Sequence, residues 1–306
     1  MNYGLTEDQA SILAGLDQLI AAHSPEAPKE PRNYYYDAEL DRAVAEAGYL
    51  QIAREPGFGV LEAALIAERL ARLPWVVEAA TSAIVAPVLP IPADLQPIAL
   101  SSGDFSRPAR FLPIAKVLVL NRGEDALIVR LDNATIEPVE TLMAYPYGRL
   151  KSIEGLECQR IAQCDDLRRR WRIALACEAA GSMAAALAQV VEHVKARYAF
   201  GRPLGSFQAI QHRLAMAAEV TEAAKWLALR AAWSDIEADA AMAAGFAQCQ
   251  VSQFTYDLHQ FCGAMGLTLE FPLHLWTYRL RALVGEVGGA SAQSQAAARA
   301  TWTEAA

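Results

Sequence analysis

No two of the five cysteines, Cys158, Cys164, Cys177, Cys249 and Cys262, stand close enough in sequence to hold zinc or to cycle as a redox pair. Odd in number and scattered, they read as single buried thiols in a reducing compartment. A basic excess is lacking too. The formal net charge is −8, which argues against a nucleic-acid binder. Residues 79–89 are apolar, but the run is short and broken by prolines, so it cannot span a bilayer. The first residues, Met1 to Gln9, lack the basic start and apolar run of a secretory signal. These absences lead to the expectation of a soluble cytoplasmic protein with no metal centre and no nucleic-acid or membrane partner.

What is abundant is apolar. Hydrophobic residues make up 54% of the 306, and alanine-rich stretches dominate from Arg172 onward, which favours close-packed helices. The length allows a large core and two or three domains. Residues 1–90 read as short helices. Thr6 and Gln9 have the spacing of a capping box ahead of Ile12, Leu13, Leu16 and Ile20. Residues 21–35 read as a connection, Asp37 to Ala47 as a helix ended by Gly48, and Leu61 to Leu73 as another, with Pro74 beyond it. In residues 91–150 the runs from Ala115 and Ala126 flank a polar turn at Asn121, so strand, turn, strand is expected within a small β-domain. Residues 151–306 return to long helices. Ala176, Ala180, Met183, Leu187, Val190, Val191, Val194 and Tyr198 form one apolar stripe, and Gly181 within it suits close helix packing. Segments 214–232, 238–258 and 279–300 read as further helices.

The segment 196–215 carries the most functional information. A helix runs into Arg197, Phe200 and Gly201, a Pro-Leu-Gly break follows at 203–205, and Phe207 and Gln208 open a second helix. Arginine, phenylalanine and glutamine at such a corner suit a polyanionic, aromatic ligand. The guanidinium pairs with phosphate, the ring stacks, and the amide hydrogen-bonds.

This corner resembles the flavin-binding signature of the acyl-CoA dehydrogenase family. A second segment, His259-Gln260 through Gly263 and Gly266 to His274, resembles that family's Gln-x-x-Gly-Gly-x-Gly turn, with Ala264 in place of one glycine. Shorter stretches, Leu5 to Gln9, Ala47 to Leu50 and Ala67 to Leu70, resemble its helical N-domain. The resemblance implies a mainly α fold: an N-terminal helical domain, a shortened middle β-domain and a C-terminal helical bundle. It also implies an FAD whose ADP half meets Arg197 at the pyrophosphate and Phe200 and Gln208 on the adenosine side. Gln260, Gly263 and Gly266 would complete that site, where glycines let backbone N–H groups approach a charged ligand.

Two family features have no match. The Thr-Glu-x-x-x-Gly-Ser-Asp-like stretch that grips flavin and substrate is missing from residues 91–150. The two family positions for the catalytic glutamate fall on or near Trp171 and Val287, with Glu286 one residue from the second. Asp165 and Asp166, beside Arg168, Arg169, Arg170 and Arg172, read as a charged helix start that is solvated or ion-paired. His212, His259 and His274 read as hydrogen-bonded structural residues, and Glu178 and Glu270 as structural carboxylates. The expectation is therefore the degenerate subunit of a heteromeric acyl-CoA dehydrogenase of the kind that shortens steroid side chains. Its partners would be a longer catalytic subunit, an acyl-CoA and an electron-transfer flavoprotein. The alternatives are a self-sufficient homodimer using Glu286 as base, or a family-fold protein without redox chemistry.

Overall fold

A computed structural model describes residues 4–23, 32–162 and 164–302. Most of the connection expected at 21–35 lies outside these residues. The N-terminal part contains α1 (Glu7–His23), α2 (Ala38–Glu46) and α3 (Val60–Ala71). The capping box forms as expected: the Gln9 amide N–H donates to the Thr6 hydroxyl, and the Thr6 amide donates to the Gln9 side chain. Asp37 caps α2 by accepting from the amides of Glu39 and Leu40. Gly48, at φ 83°, turns the chain out of that helix in the left-handed region, where a side chain is strained.

Two small sheets follow. The first is ordered β1 (Ile98–Ser102), β3 (Val117–Asn121), β4 (Asp125–Arg130), β7 (Cys158–Ala162). The β1–β3 pair is parallel and the other two are antiparallel. All five residues of β3 are buried, as the unbroken Val-Leu-Val-Leu run requires of a strand covered on both faces. The polar turn at Asn121 joins β3 to β4, and its side chain accepts from the Gly123 amide. The second sheet is β2 (Ala109–Arg110), β6 (Tyr147–Leu150), β5 (Ile136–Val139). Strand β7 lies past residue 150, where the sequence placed the end of the β-domain.

The remainder is α4 (Asp165–Ala196), the hairpin β8 (Tyr198–Ala199) and β9 (Arg202–Pro203), then α5 (Gln208–Ser234), α6 (Glu237–Cys262), α7 (His274–Leu283) and α8 (Gly289–Trp302). Helix α4 has the length and apolar composition of a membrane span, but 72% of its most apolar window is buried among other elements. At Gly181 it passes so close to α3 that a Cβ there would lie 2.3 Å from the Glu68 carbonyl oxygen. The single helix expected over 279–300 is broken. Gly285, Gly288 and Gly289 crowd the segment after α7, and Val287 takes a left-handed φ of 53° before α8 begins.

One apolar core joins α1–α3, the first sheet, the start of α4 and the contact between α5 and α6. A second lies among α4, α5, α6 and α7. Two carboxylates are buried where the N-terminal helices meet the first sheet. Asp41 accepts from the Tyr36 hydroxyl at 2.8 Å. Glu78, 1% exposed, accepts from the Thr81 amide, the Ser82 hydroxyl and the Ile98 amide. They line a 210 Å³ cavity with Arg42 and Lys116. Burial pushes Asp41 up to about 6 and Glu78 up to about 7. Among the described residues all five cysteines are free. Cys164, Cys177 and Cys262 are buried as expected, whereas Cys158 and Cys249 are exposed.

Candidate functional site

At one end of the helical bundle, α4 gives way to a tight hairpin. Phe200 (φ 53°) and Gly201 (φ 81°) both take left-handed conformations at its tip, the requirement of a two-residue turn between twisted strands. Phe200 is 93% exposed and meets Phe207 edge-on at 6.2 Å. The Arg202 guanidinium lies 4.0 Å from the Phe207 ring centre. Arg197 and Gln208 are exposed as well. The end of α6 comes to the same end of the bundle, because Arg213 of α5 pairs with Asp257 of α6, the Nε–Oδ2 distance being 3.0 Å.

Beyond Asp257, α6 ends at Cys262 and Gly263 takes φ 58°, ψ −142°, a combination open essentially to glycine alone. Gly266 is buried, and a Cβ on it would lie 2.8 Å from that of Cys262. His259 holds this turn against α7. Its Nδ1 is 2.7 Å from the Gly266 carbonyl oxygen and its Nε2 is 2.9 Å from the Thr277 hydroxyl. Burial lowers the His259 pKa. The result is a groove of 430 Å³ lined by Tyr256, His259, Gln260, Gly263, Tyr278 and Arg281, among others.

Of the six residues singled out in the sequence, Gln260 and Gly263 line this groove and Gly266 shapes its turn. Arg197, Phe200 and Gln208 do not line it. They stand on the neighbouring hairpin and the first turn of α5. Arg281, Tyr256 and Tyr278 were missed. Tyr278 and Arg281 lie three apart on α7 and so share a helix face with Thr277, a periodicity that was readable once α7 was placed.

A second cavity, of 340 Å³, lies between the sheets and the helices. It brings together Trp171 and Val287, the two positions expected for a base, although they are far apart in sequence. Neither is acidic, and the Trp171 indole donates to Glu286 Oε2 at 2.9 Å. Arg110, which the sequence did not reveal, stands between the carboxylates. Its Nε donates to Glu286 Oε1 at 2.5 Å. Its two terminal nitrogens fork onto Glu178 at 2.8 and 2.7 Å. Arg110 is 5% exposed. Burial opposes its charge, but Glu178 and Glu286 outweigh it and keep the guanidinium protonated. Burial raises the Glu178 pKa against the pull of Arg110, and raises that of Tyr147, on the cavity wall, to about 12.

The loop bearing Glu286 is fixed from behind. Gln248 donates to the carbonyls of Leu283 (2.8 Å) and Glu286 (2.9 Å), and Gln293 donates to that of Val287 (2.7 Å). Arg172 in turn holds Gln293 at 2.5 Å and pairs with Glu237. Arg168 pairs with Asp165, Arg169 with Asp166 and Asp235, and Arg170 with Asp235. This arginine run is therefore ion-paired rather than a free basic patch. Both nitrogens of His274 meet carbonyl oxygens, those of Phe271 and Arg32, in keeping with a structural role.

Residues 169–299 match the acyl-CoA dehydrogenase C-terminal domain family. In sequence the chain is 30% identical over 152 residues to the acyl-CoA dehydrogenase IpdE2 of Mycobacterium tuberculosis. That match takes in 50% of this chain and 47% of the relative, so the chain spans less than half of that protein. In structure it is similar to a chain of the ChsE4-ChsE5 complex from Mycobacterium tuberculosis, with TM-score 0.77, 19% identity and 98% of each chain covered. It is also similar to a chain of a variant of the Tcur3481-Tcur3483 steroid ACAD, with TM-score 0.76, 21% identity, and 98% of this chain and 99% of that one covered. The fold shared with these structures is helix, small β region, helix bundle, and residues 169–299 form the helical domain that matches the acyl-CoA dehydrogenase C-terminal domain family.

Proposed function

We propose that this chain is the non-catalytic subunit of a heteromeric, FAD-dependent acyl-CoA dehydrogenase. It joins a longer catalytic subunit of the same family, as a cytoplasmic heterotetramer, and receives the ADP end of that subunit's FAD. One observation carries the reading: the two expected base positions share a cavity whose carboxylate, Glu286, is already ion-paired, while the bundle end presents an open groove.

That groove suits a nucleoside diphosphate. It offers a glycine turn that lets a ligand approach the backbone closely, the Gln260 amide, the Arg281 cation and tyrosine rings, in a volume of 430 Å³. Arg281 neutralises and orients phosphate, and Gly263, with no side chain and nothing within 4 Å of where a Cβ would stand, leaves room for it. Gln260 hydrogen-bonds the ligand, and Arg197, Phe200 and Gln208 extend the site along the hairpin towards the neighbouring subunit. The chemistry FAD supplies when bound is acceptance of the hydride in α,β-desaturation of an acyl-CoA thioester, with electrons passed to an electron-transfer flavoprotein. The catalytic subunit contributes the base. Likeness to a steroid ACAD supports a bulky acyl group such as a steroid side chain.

The test is an absorbance spectrum and a solution mass of the chain alone and after co-expression with a longer family member. A colourless chain alone and a yellow, active heteromer together support the proposal. An active, flavin-loaded homomer refutes it.

A further inference from the structure

Building on the half-site reading above, we infer that Arg110, with Glu178 and Glu286, is the permanent occupant of this chain's own cavity and closes it to a flavin ring. The chain then serves a single cofactor, its partner's, through the bundle-end groove. The place of Arg110 is what gives the triad this role. It lines the same cavity as Trp171 and Val287, so its ion pairs face the place in which a base and a planar acceptor would have to meet a substrate.

The arginine is fully committed there. Nε and one terminal nitrogen reach Glu286, and both terminal nitrogens reach Glu178. The rings of Phe111 and Tyr145 lie 5.4 and 5.1 Å from the guanidinium carbon and add cation–π contacts to its ion pairs. Moving Glu286 into service would break a forked ion-pair network in a buried setting, where separated charges are strongly disfavoured. Its loop cannot swing freely, because Gln248 and Gln293 hold the backbone on both sides of it. The open part of the cavity lies on the solvent side, against Ser102, Arg107 and Gly288, all exposed. A ring resting there would be outside the triad rather than within it.

The experiment is calorimetric titration of the full chain with ADP, FAD and riboflavin. Riboflavin probes the cavity without help from the groove. The triad predicts equal affinity for ADP and FAD to within about threefold, and no riboflavin binding. FAD binding more than about tenfold tighter than ADP, or measurable riboflavin binding, overturns the inference. Failure of ADP and FAD alike would remove the groove as a nucleotide site of the free chain and leave riboflavin to judge the cavity.

A double-mutant cycle tests the triad without any ligand. Arg110→Met and Glu286→Gln should be non-additive in urea unfolding by more than about tenfold in the equilibrium constant. Arg110→Lys, which keeps the charge but loses the fork, replaces Arg110→Met in the cycle if that variant does not fold. Additive effects would show that Arg110 and Glu286 do not act as one unit.

Discussion

The buried pair Asp41 and Glu78 makes stability depend on pH in a direction opposite to that of ordinary salt-bridged acids. An acid raised in the folded state holds its proton more tightly there than in the unfolded chain. Between its unfolded and folded pKa values the native state therefore carries extra proton, and stability falls as pH rises. For Glu78 the window runs from 4.5 to about 7, and for Asp41 from 3.8 to about 6. At about 1.36 kcal/mol per pH unit, each displacement corresponds to about 3 kcal/mol. Because the two carboxylates repel each other, the joint effect is smaller than twice that amount. Glu78→Gln removes the ionisation and keeps the shape. Between pH 5 and pH 8 its stability should rise relative to the wild type by about 2–3 kcal/mol, most of it gained between pH 5 and 7. Urea unfolding followed by circular dichroism at both pH values reads this directly. Comparing the variant with the wild type cancels the carboxylates that titrate elsewhere. A stability difference that stays constant from pH 5 to pH 8 would refute the assignment of Glu78 as a buried acid that ionises near neutrality.

Gly181→Ala would place a Cβ 2.3 Å from the Glu68 carbonyl and 2.8 Å from the Ala71 Cβ. The resulting shift between α3 and α4 should cost about 2–3 kcal/mol, despite about 1 kcal/mol gained in helix propensity; an unchanged urea midpoint would contradict it. Glu286→Gln in the heteromer should leave turnover within about twofold of the parent, whereas abolished turnover with flavin still bound would make Glu286 the base. Phe200→Ala should change the chain's own unfolding by less than about 0.5 kcal/mol, since that ring is 93% exposed. The same change should weaken partner binding by about tenfold, measured by sedimentation; equal affinity would place the partner elsewhere.

Local signals were legible in the sequence wherever one short rule decides the structure. The Thr6–Gln9 capping box, the turn at Gly48 and the turn at Asn121 each depend on a few neighbouring residues, whereas Gly181 marked a close approach without naming Glu68 and Ala71 as what it meets. The apolar run Val117 to Leu120 could be read as a strand without knowing its partners, but not that β1 pairs with it in parallel. The Gln260–Gly266 turn was visible through its resemblance to a family motif, and its first glycine, Gly263, takes the left-handed φ such a turn needs. Arg110 was not visible. It lies on a two-residue strand, and its meaning comes from Glu178 and Glu286, 68 and 176 residues away. No periodicity links such positions. The break before α8 was missed because Val287 disguises a turn that its neighbouring glycines permit.

Helix α4 runs unbroken from Asp165 to Ala196. At 1.5 Å per residue, the 26 steps from Trp171 to the Arg197 cap span about 39 Å. The Arg110 cavity and the bundle-end hairpin are thus opposite ends of one rod, beyond the reach of each other's side chains and most of each other's electrostatics. Erosion at one end need not propagate to the other. A chain built this way can lose a reaction centre while keeping the surface that helps a neighbour's, which is a simple physical route from two equal subunits to an unequal pair.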